Sequence, residues 1–199
     1  MKHRRISNSP LLDPAACVLV LIAPDPLDPS SIDPSVRTGH QRTVSALSKA
    51  ADIANVPVLV LTRHALEQEK PPTARGPGTL ALRQFVFAEN GSPWSHKSFL
   101  DALTALDRSI LILAGYWLEH QILATALHAL AESYDVYVLL DATPPRSRHA
   151  SEPSRDRLSQ AGATPVITSQ VIHEWSLEAA DNSKRAALLS LFPSLLEVE

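Results

Sequence analysis

Few side chains in this sequence are reactive in themselves. The 199 residues include one cysteine, Cys17, which opens the apolar run Cys17-Val18-Leu19-Val20-Leu21-Ile22. A thiol in such a run is expected to pack as a small hydrophobe rather than attack a substrate. A lone cysteine excludes an intramolecular disulfide framework and fits a reducing cytosol. His120 beside Gln121, with Asp25 and Asp28 after the first apolar run, offers an acid-base pair; a histidine at a helix start serves equally as a cap or a solvated group. His64 follows a second apolar run, but its neighbours Thr62 and Arg63 supply no carboxylate and no second spaced histidine follows closely. No metal and no cofactor is therefore expected. The stretch Pro144-Pro145-Arg146-Ser147-Arg148-His149, with Arg155 and Arg157, is a local basic cluster. It reads as a solvated loop or, from its place after an apolar run, as an anion site.

The elements that must position these groups follow from periodicity. Short apolar runs alternate with helical patterns, the signature of βαβ units around a parallel sheet. Cys17–Ile22 is apolar on every residue, so both its faces should be covered and the strand should be central. Between Arg37 and Asn55, Val44, Leu47, Ala51 and Ala54 recur at helical spacing. Further strands are expected at Pro57–Leu61, Phe85–Phe87, Ser109–Ala114, Asp135–Leu140 and Pro165–Thr168. Further helices are expected at Ser98–Leu106, His120–Ser133 and Ser154–Ala161, with a polar loop at Pro144–Pro153 and a helical tail. Pro71, Pro72, Gly76, Pro77, Gly78 and Gly91 make Arg63–Pro93 loop-rich. The sum is an open three-layer α/β/α sandwich with a six-stranded, mostly parallel sheet in Rossmann-like order. Its site should lie beyond the C-terminal strand ends, where the strand order reverses.

Length and 45% hydrophobic content fit one domain over residues 1–199, with 1–12 as a flexible N-terminal arm and 185–199 as a helical tail. A net charge of -3, with Lys and Arg dispersed, favours neither nucleic acid nor membrane. Lys2, Arg4 and Arg5 ahead of an apolar run look like the start of an export signal. Asp13, Pro14 and Asp25 flank that run closely, so a buried strand in a cytoplasmic protein is the better reading.

Ser109 to Thr143, SILILAGYWLEHQILATALHALAESYDVYVLLDAT, resembles the isochorismatase-like cysteine hydrolase superfamily. There a strand ends in Ala-Gly, a short turn leads onto a helix, and the next strand ends in Asp-Ala. Ala114-Gly115 and Asp141-Ala142 match this pattern. Supporting matches are VPVLVLTRH (Val56 to His64), Trp94 with Phe99, and Gln160-Ala161-Gly162-Ala163. The resemblance covers most of the chain from about Leu11, and it is nearest to the bacterial hydrolases without an assigned substrate.

The resemblance implies a cysteine thiolate, an aspartate that manages its proton and a lysine that stabilises charge. The cysteine belongs six residues after Gly115, where this chain has Gln121, and an amide is no ionisable nucleophile. The aspartate belongs directly after the first strand, where it has Ala23. The lysine is bracketed at Phe87 to Asn90, and no Lys or Arg stands between Arg83 and Lys97. In the family the turn carries a small or β-branched residue and then a threonine; here it carries Tyr116, Trp117 and Leu118. These bulky residues either fill the substrate's space or pack under a neighbouring loop or subunit.

The expectation is a pseudoenzyme with a binding, assembly or regulatory role. An enzyme reading stays open: a hydrolase or isomerase acting on a small amide, ester or enol ether through a rebuilt site with His120 and Asp25. So does a small-molecule binder using Trp94, Trp117 and Gln121; Asp25, Tyr116, Leu118 and His120 complete the candidate pocket. Relatives commonly form dimers or rings, which implies a homo-oligomer. The apolar tail Ala187–Leu196 is available to pack against a partner or within the chain.

Overall fold

An all-apolar strand needs cover on both faces, and the computed structural model gives it that. It describes residues 10–23, 33–62, 83–86 and 92–196. Strand β1 (Cys17–Ile22) is buried at every position and lies between β2 (Val58–Thr62) and β4 (Ile110–Gly115). With β3 (Arg83–Val86), β5 (Asp135–Leu139) and β6 (Thr164–Val166) it forms a six-stranded sheet in the order β3-β2-β1-β4-β5-β6. Every pairing is parallel.

Alternate strand residues feed two separate cores. Leu19, Leu21, Ile112 and Ala114 join Leu47, Ile172 and Trp175 under helices α1 (Pro34–Ala54), α5 (Thr168–Glu178) and α6 (Asn182–Leu189). Val18, Val20, Leu111 and Leu113 join Phe99, Ala126 and Leu158 under α2 (Lys97–Ala105), α3 (Leu123–Ala131) and α4 (Arg148–Ala161). The result is the three-layer sandwich that the alternation of elements implies.

Several boundaries differ from the sequence expectation. Helix α1 begins at Pro34 because Asp33 caps it, accepting the Ser35 N–H at 2.8 Å. The helix expected from His120 begins at Leu118, as a wide π-type turn over Leu118–Ile122 that runs into α3. The polar loop expected through Pro153 is instead the start of α4, with Pro153 inside the helix. Pro153, the sixth helical residue, removes the bond to the carbonyl of His149 and crowds it, and the exposed position of His149 leaves that carbonyl to water. At the N-terminal arm, Leu12 is already in the core and donates its N–H to Glu174 Oε2 at 2.8 Å. The C-terminal tail packs within the chain: Leu188 is buried, and Leu191, Phe192 and Leu195 lie against the core under α1. Leu189 stays 41% exposed.

The sheet runs outward from β1 in both directions, so the reversal of order falls between the ends of β1 and β4. Ile22 and Gly115 are partners there. Gly115 has φ +124°, and a Cβ on it would be driven into the Ile22 backbone. We expect Gly115→Ala to lower the free energy of unfolding by about 3 kcal/mol in urea titration, from backbone strain and overpacking combined.

Candidate functional site

At the reversal point Ala23 follows β1 and donates its N–H to the Leu61 carbonyl at 2.8 Å. Its methyl group stands where the resemblance implies a carboxylate. Tyr116, directly after Gly115, donates its N–H to the Ile22 carbonyl at 3.0 Å, which locks the start of the turn to β1. The Tyr116-Trp117 peptide is cis. Tyr116 is 4% exposed, whereas Trp117 is half-buried, their rings meeting edge to face at 5.0 Å. Leu118 is buried and ties the turn to the next crossover, donating its N–H to the Pro144 carbonyl at 3.2 Å.

Gln121 lies half-buried in the π-type turn and His120 beside it is exposed. Asp25, the acid expected to face His120, lies outside the described residues, as do His64 and the Phe87–Asn90 bracket. Among the described residues no group of three or more His, Cys, Asp and Glu side chains is arranged to hold a metal ion.

Cys17 sits at the opposite end of β1, paired with Ile110 and fully buried. Five residues of extended chain separate it from Ile22, roughly 16 Å. Burial pushes its pKa up to about 12, with Trp175 alongside pulling the other way. It packs, as a thiol in an apolar run should. Trp94 is also distant from Gln121. Its ring meets Phe99 at 6.0 Å and Tyr134 at 6.2 Å, and stacks on His128 at 6.3 Å. His128 stands seven residues beyond Gln121, about 10 Å along the helix. The structure thus brings Tyr116, Trp117, Leu118, His120 and Gln121 together and leaves Trp94 in the α2–α3 aromatic cluster.

Two groups not singled out by sequence reasoning reach the same place from α1. The His40 ring lies 4.1 Å from that of Tyr116. Desolvation pulls its pKa down to about 4, a bond toward the Ala142 backbone opposing, so the imidazole is neutral at neutral pH. Its Nδ1 is buried with no hydrogen-bond partner among the described residues. The Tyr116 phenol is pushed up to about 12, chiefly by burial, while the Arg37 guanidinium pulls it the other way. A signal for His40 was present: it stands three and four residues before Thr43 and Val44, on the stripe that α1 buries.

The basic cluster is answered by the chain itself. The Glu119 carboxylate accepts the Arg146 N–H at 2.9 and 3.1 Å and the Ser147 N–H at 3.1 Å. It ties down the backbone just before α4, for which Ser147 supplies no side-chain cap, while Arg146, Arg148, His149, Arg155 and Arg157 are exposed. Asp141 does cap a helix, α5, accepting its first N–H, that of Thr168, at 3.0 Å and the Thr168 hydroxyl at 3.0 Å.

The isochorismatase domain family matches residues 38–170. The probable hydrolase YcaC of Escherichia coli K12 is 30% identical over 127 residues, 62% of this chain and 60% of that protein; the match spans less than two thirds of its length. The crystal structure of the YcaC gene product from Escherichia coli, an octameric hydrolase of unknown specificity, superposes with TM-score 0.73 at 22% identity, covering 96% of this chain and 93% of that one. YcaC from Pseudomonas aeruginosa, solved with hexane-2,5-diol and covalent acrylamide, gives TM-score 0.74 at 21% identity, covering 96% of each chain. The fold is that of an open parallel-sheet α/β protein with its crevice at the β1–β4 reversal. The chain belongs to the isochorismatase family.

Asp141 gives a check on this edge of the sheet. Burial is the largest effect on its carboxyl and raises its pKa, although its bonds to Thr168 act in the opposite sense. A raised folded-state pKa means that the fold favours the protonated form, so this stability is lost as pH rises through the carboxyl range. Asp141→Ala should cost about 1–2 kcal/mol by uncapping α5. Asp141→Asn keeps an acceptor and should cost less, and its stability relative to wild type should improve between about pH 4 and about pH 7. Chemical denaturation at both pH values measures this.

Proposed function

We propose that this chain is a catalytically degenerate isochorismatase-family protein, kept for binding, assembly or regulation rather than turnover. One observation carries the reading: the turn after Gly115 presents Gln121 where the family resemblance calls for a thiolate, while Ala23 follows β1 where it calls for an acid. An amide neither ionises to a nucleophile nor forms a thioester, and a methyl group moves no proton. With no lysine or arginine in the Phe87–Asn90 bracket, the nucleophile, the base and the charge clamp are lost together. Arg37 does bring a cation near Tyr116, but from α1 and without the other two groups.

The wider reading is a single cytoplasmic domain that acts without a cofactor, as a homo-oligomer with room for a small-molecule ligand and no nucleic-acid or membrane partner. The octameric state of the Escherichia coli relative supports self-association. Among the described residues no helix is long and apolar enough to cross a membrane.

Thiol labelling tests the register, and an activity screen tests the loss of turnover. The Pseudomonas relative holds covalent acrylamide, and acrylamide alkylates thiolates. The native chain should resist acrylamide, because Cys17 is buried with its pKa raised. Gln121→Cys should gain one modification by intact mass, at least about tenfold faster than Cys17 reacts. Wild type should not turn over nicotinamide, isochorismate, N-carbamoyl amines or simple esters above background. Turnover that disappears in His120→Ala or Asp25→Ala would establish the rebuilt-site hydrolase instead.

A further inference from the structure

Three segments of the chain meet at the Tyr116 ring. From α1, the His40 ring lies 4.1 Å from that of Tyr116 and bonds toward the Ala142 backbone. From the turn after β4, Leu118 donates its N–H to the Pro144 carbonyl at 3.2 Å. Thr143 stands between these two anchored residues, beyond the end of β5, and is 1% exposed. Its place is thereby fixed from both sides, with His40 on one and the Tyr116–Leu118 turn on the other.

This junction holds hydrogen-bonding capacity that the chain leaves unused. Among the described residues, His40 Nδ1 and the Thr143 hydroxyl are both buried with no hydrogen-bond partner. Buried polar atoms are mostly paired, so two orphans in one junction call for a cause. The imidazole is neutral, and its bond toward Ala142 is made by the Nε2–H, since Nδ1 has no partner. Nδ1 therefore carries a lone pair and can only accept. The Tyr116 phenol does not act as its donor, because Nδ1 would then be paired. Thr143 can both donate and accept. Together the two atoms fit a neutral hydroxyl, which brings a hydrogen to Nδ1 and a lone pair to Thr143. A carboxylate offers Nδ1 no hydrogen.

We propose that the Tyr116 side chain plugs a polar subsite of the crevice, formed by His40 Nδ1 and the Thr143 hydroxyl, which takes the hydroxyl of a small neutral molecule when the ring swings aside. The Tyr116 backbone stays tied to the Ile22 carbonyl while its side chain turns about χ1. The subsite deepens the binding role proposed above and rests on that role, not on the loss of turnover.

Phenol, toluene and benzoate titrated against the isotope-labelled full chain test it, read on the imidazole nitrogens. The signal lost in His40→Gln assigns His40. Phenol should move the His40 Nδ1 resonance of wild type, with the weak affinity of so small a molecule. Toluene, of the same size, should leave it in place, and benzoate should bind more weakly than phenol. Tyr116→Ala should bind phenol at least about tenfold more tightly than wild type, because no ring has to move first. Thr143→Val keeps the shape of the side chain without its hydroxyl and should weaken phenol about fivefold or more, leaving toluene unchanged. Tyr116→Phe keeps the plug and should behave as wild type. Circular dichroism confirms the fold of each variant, and the wild-type and Thr143→Val titrations decide the matter even where Tyr116→Ala does not fold.

Phenol and toluene binding alike to Tyr116→Ala would reduce the site to an apolar cavity and overturn the proposal. So would a His40 resonance that phenol leaves in place, or a Tyr116→Ala variant that binds no more tightly than wild type. Benzoate preferred over phenol would assign recognition to the Arg37 cation near Tyr116 and discard the His40 subsite. Turnover in the activity screen with the phenol pattern intact would keep the subsite and discard the pseudoenzyme reading. Absence of both would discard the subsite and keep that reading.

Discussion

The arrangement of this molecule depends on the close approach of two backbones at Ile22 and Gly115. Parallel strands β1 and β4 meet there, the Ile22 carbonyl accepts the Tyr116 N–H, and Gly115 turns away with φ +124°. No side chain fits between them. The contact fixes where β4 ends, and so where the Tyr116–Leu118 turn begins and which residues of the following π-type turn are offered to the crevice. On the proposed reading, that backbone contact also sets which residue of the turn, Gln121, takes the reactive position.

The same edge is tied together by carboxylates lent between elements. Ser147 and Ile167, which precede α4 and α5, make no side-chain cap for those helices. Asp141, at the end of β5, supplies the missing acceptor for α5, and Glu119, in the turn after β4, holds the backbone that leads into α4. Four backbone N–H groups at a helix start are otherwise unpaired, and Asp141 meets the first of them in α5 although burial raises its pKa. Both of these acids are thereby committed to structure. The basic segment at Arg146–His149 likewise has backbone donors taken by Glu119, so its cluster of charge does not by itself make an anion site.

Much of this was legible in the sequence. A strand buried on both faces announces itself as an unbroken apolar run, which is why β1 and its central place in the sheet could be read from composition and alternation. What escapes such a reading is of two kinds. Pro153 reads as a helix breaker, but α4 carries it in its second turn, where the exposed carbonyl of His149 is left to water, a tertiary fact. His40 is invisible while α1 is placed by its apolar residues, because a polar residue on the same stripe has meaning only once Tyr116 is known to lie opposite. Trp94, for which core packing is the first expectation beside a place in the pocket, packs against His128 and Tyr134, partners that no spacing in the sequence names.

The chemistry of the crevice then follows from what burial does to the groups that remain. Cysteine hydrolysis needs a thiolate and a proton acceptor held side by side, and a low-dielectric crevice sustains both only when opposite charges offset the desolvation. Here buried Tyr116 and half-buried His40 meet, and desolvation pushes each toward neutrality. Alanine and glutamine occupy the neighbouring positions and carry no charge at any pH. An enzyme of this family must retain charges that its fold would otherwise expel. On the proposed reading, Ala23 in place of an acid and Gln121 in place of a thiol relieve a cost that only catalysis would justify.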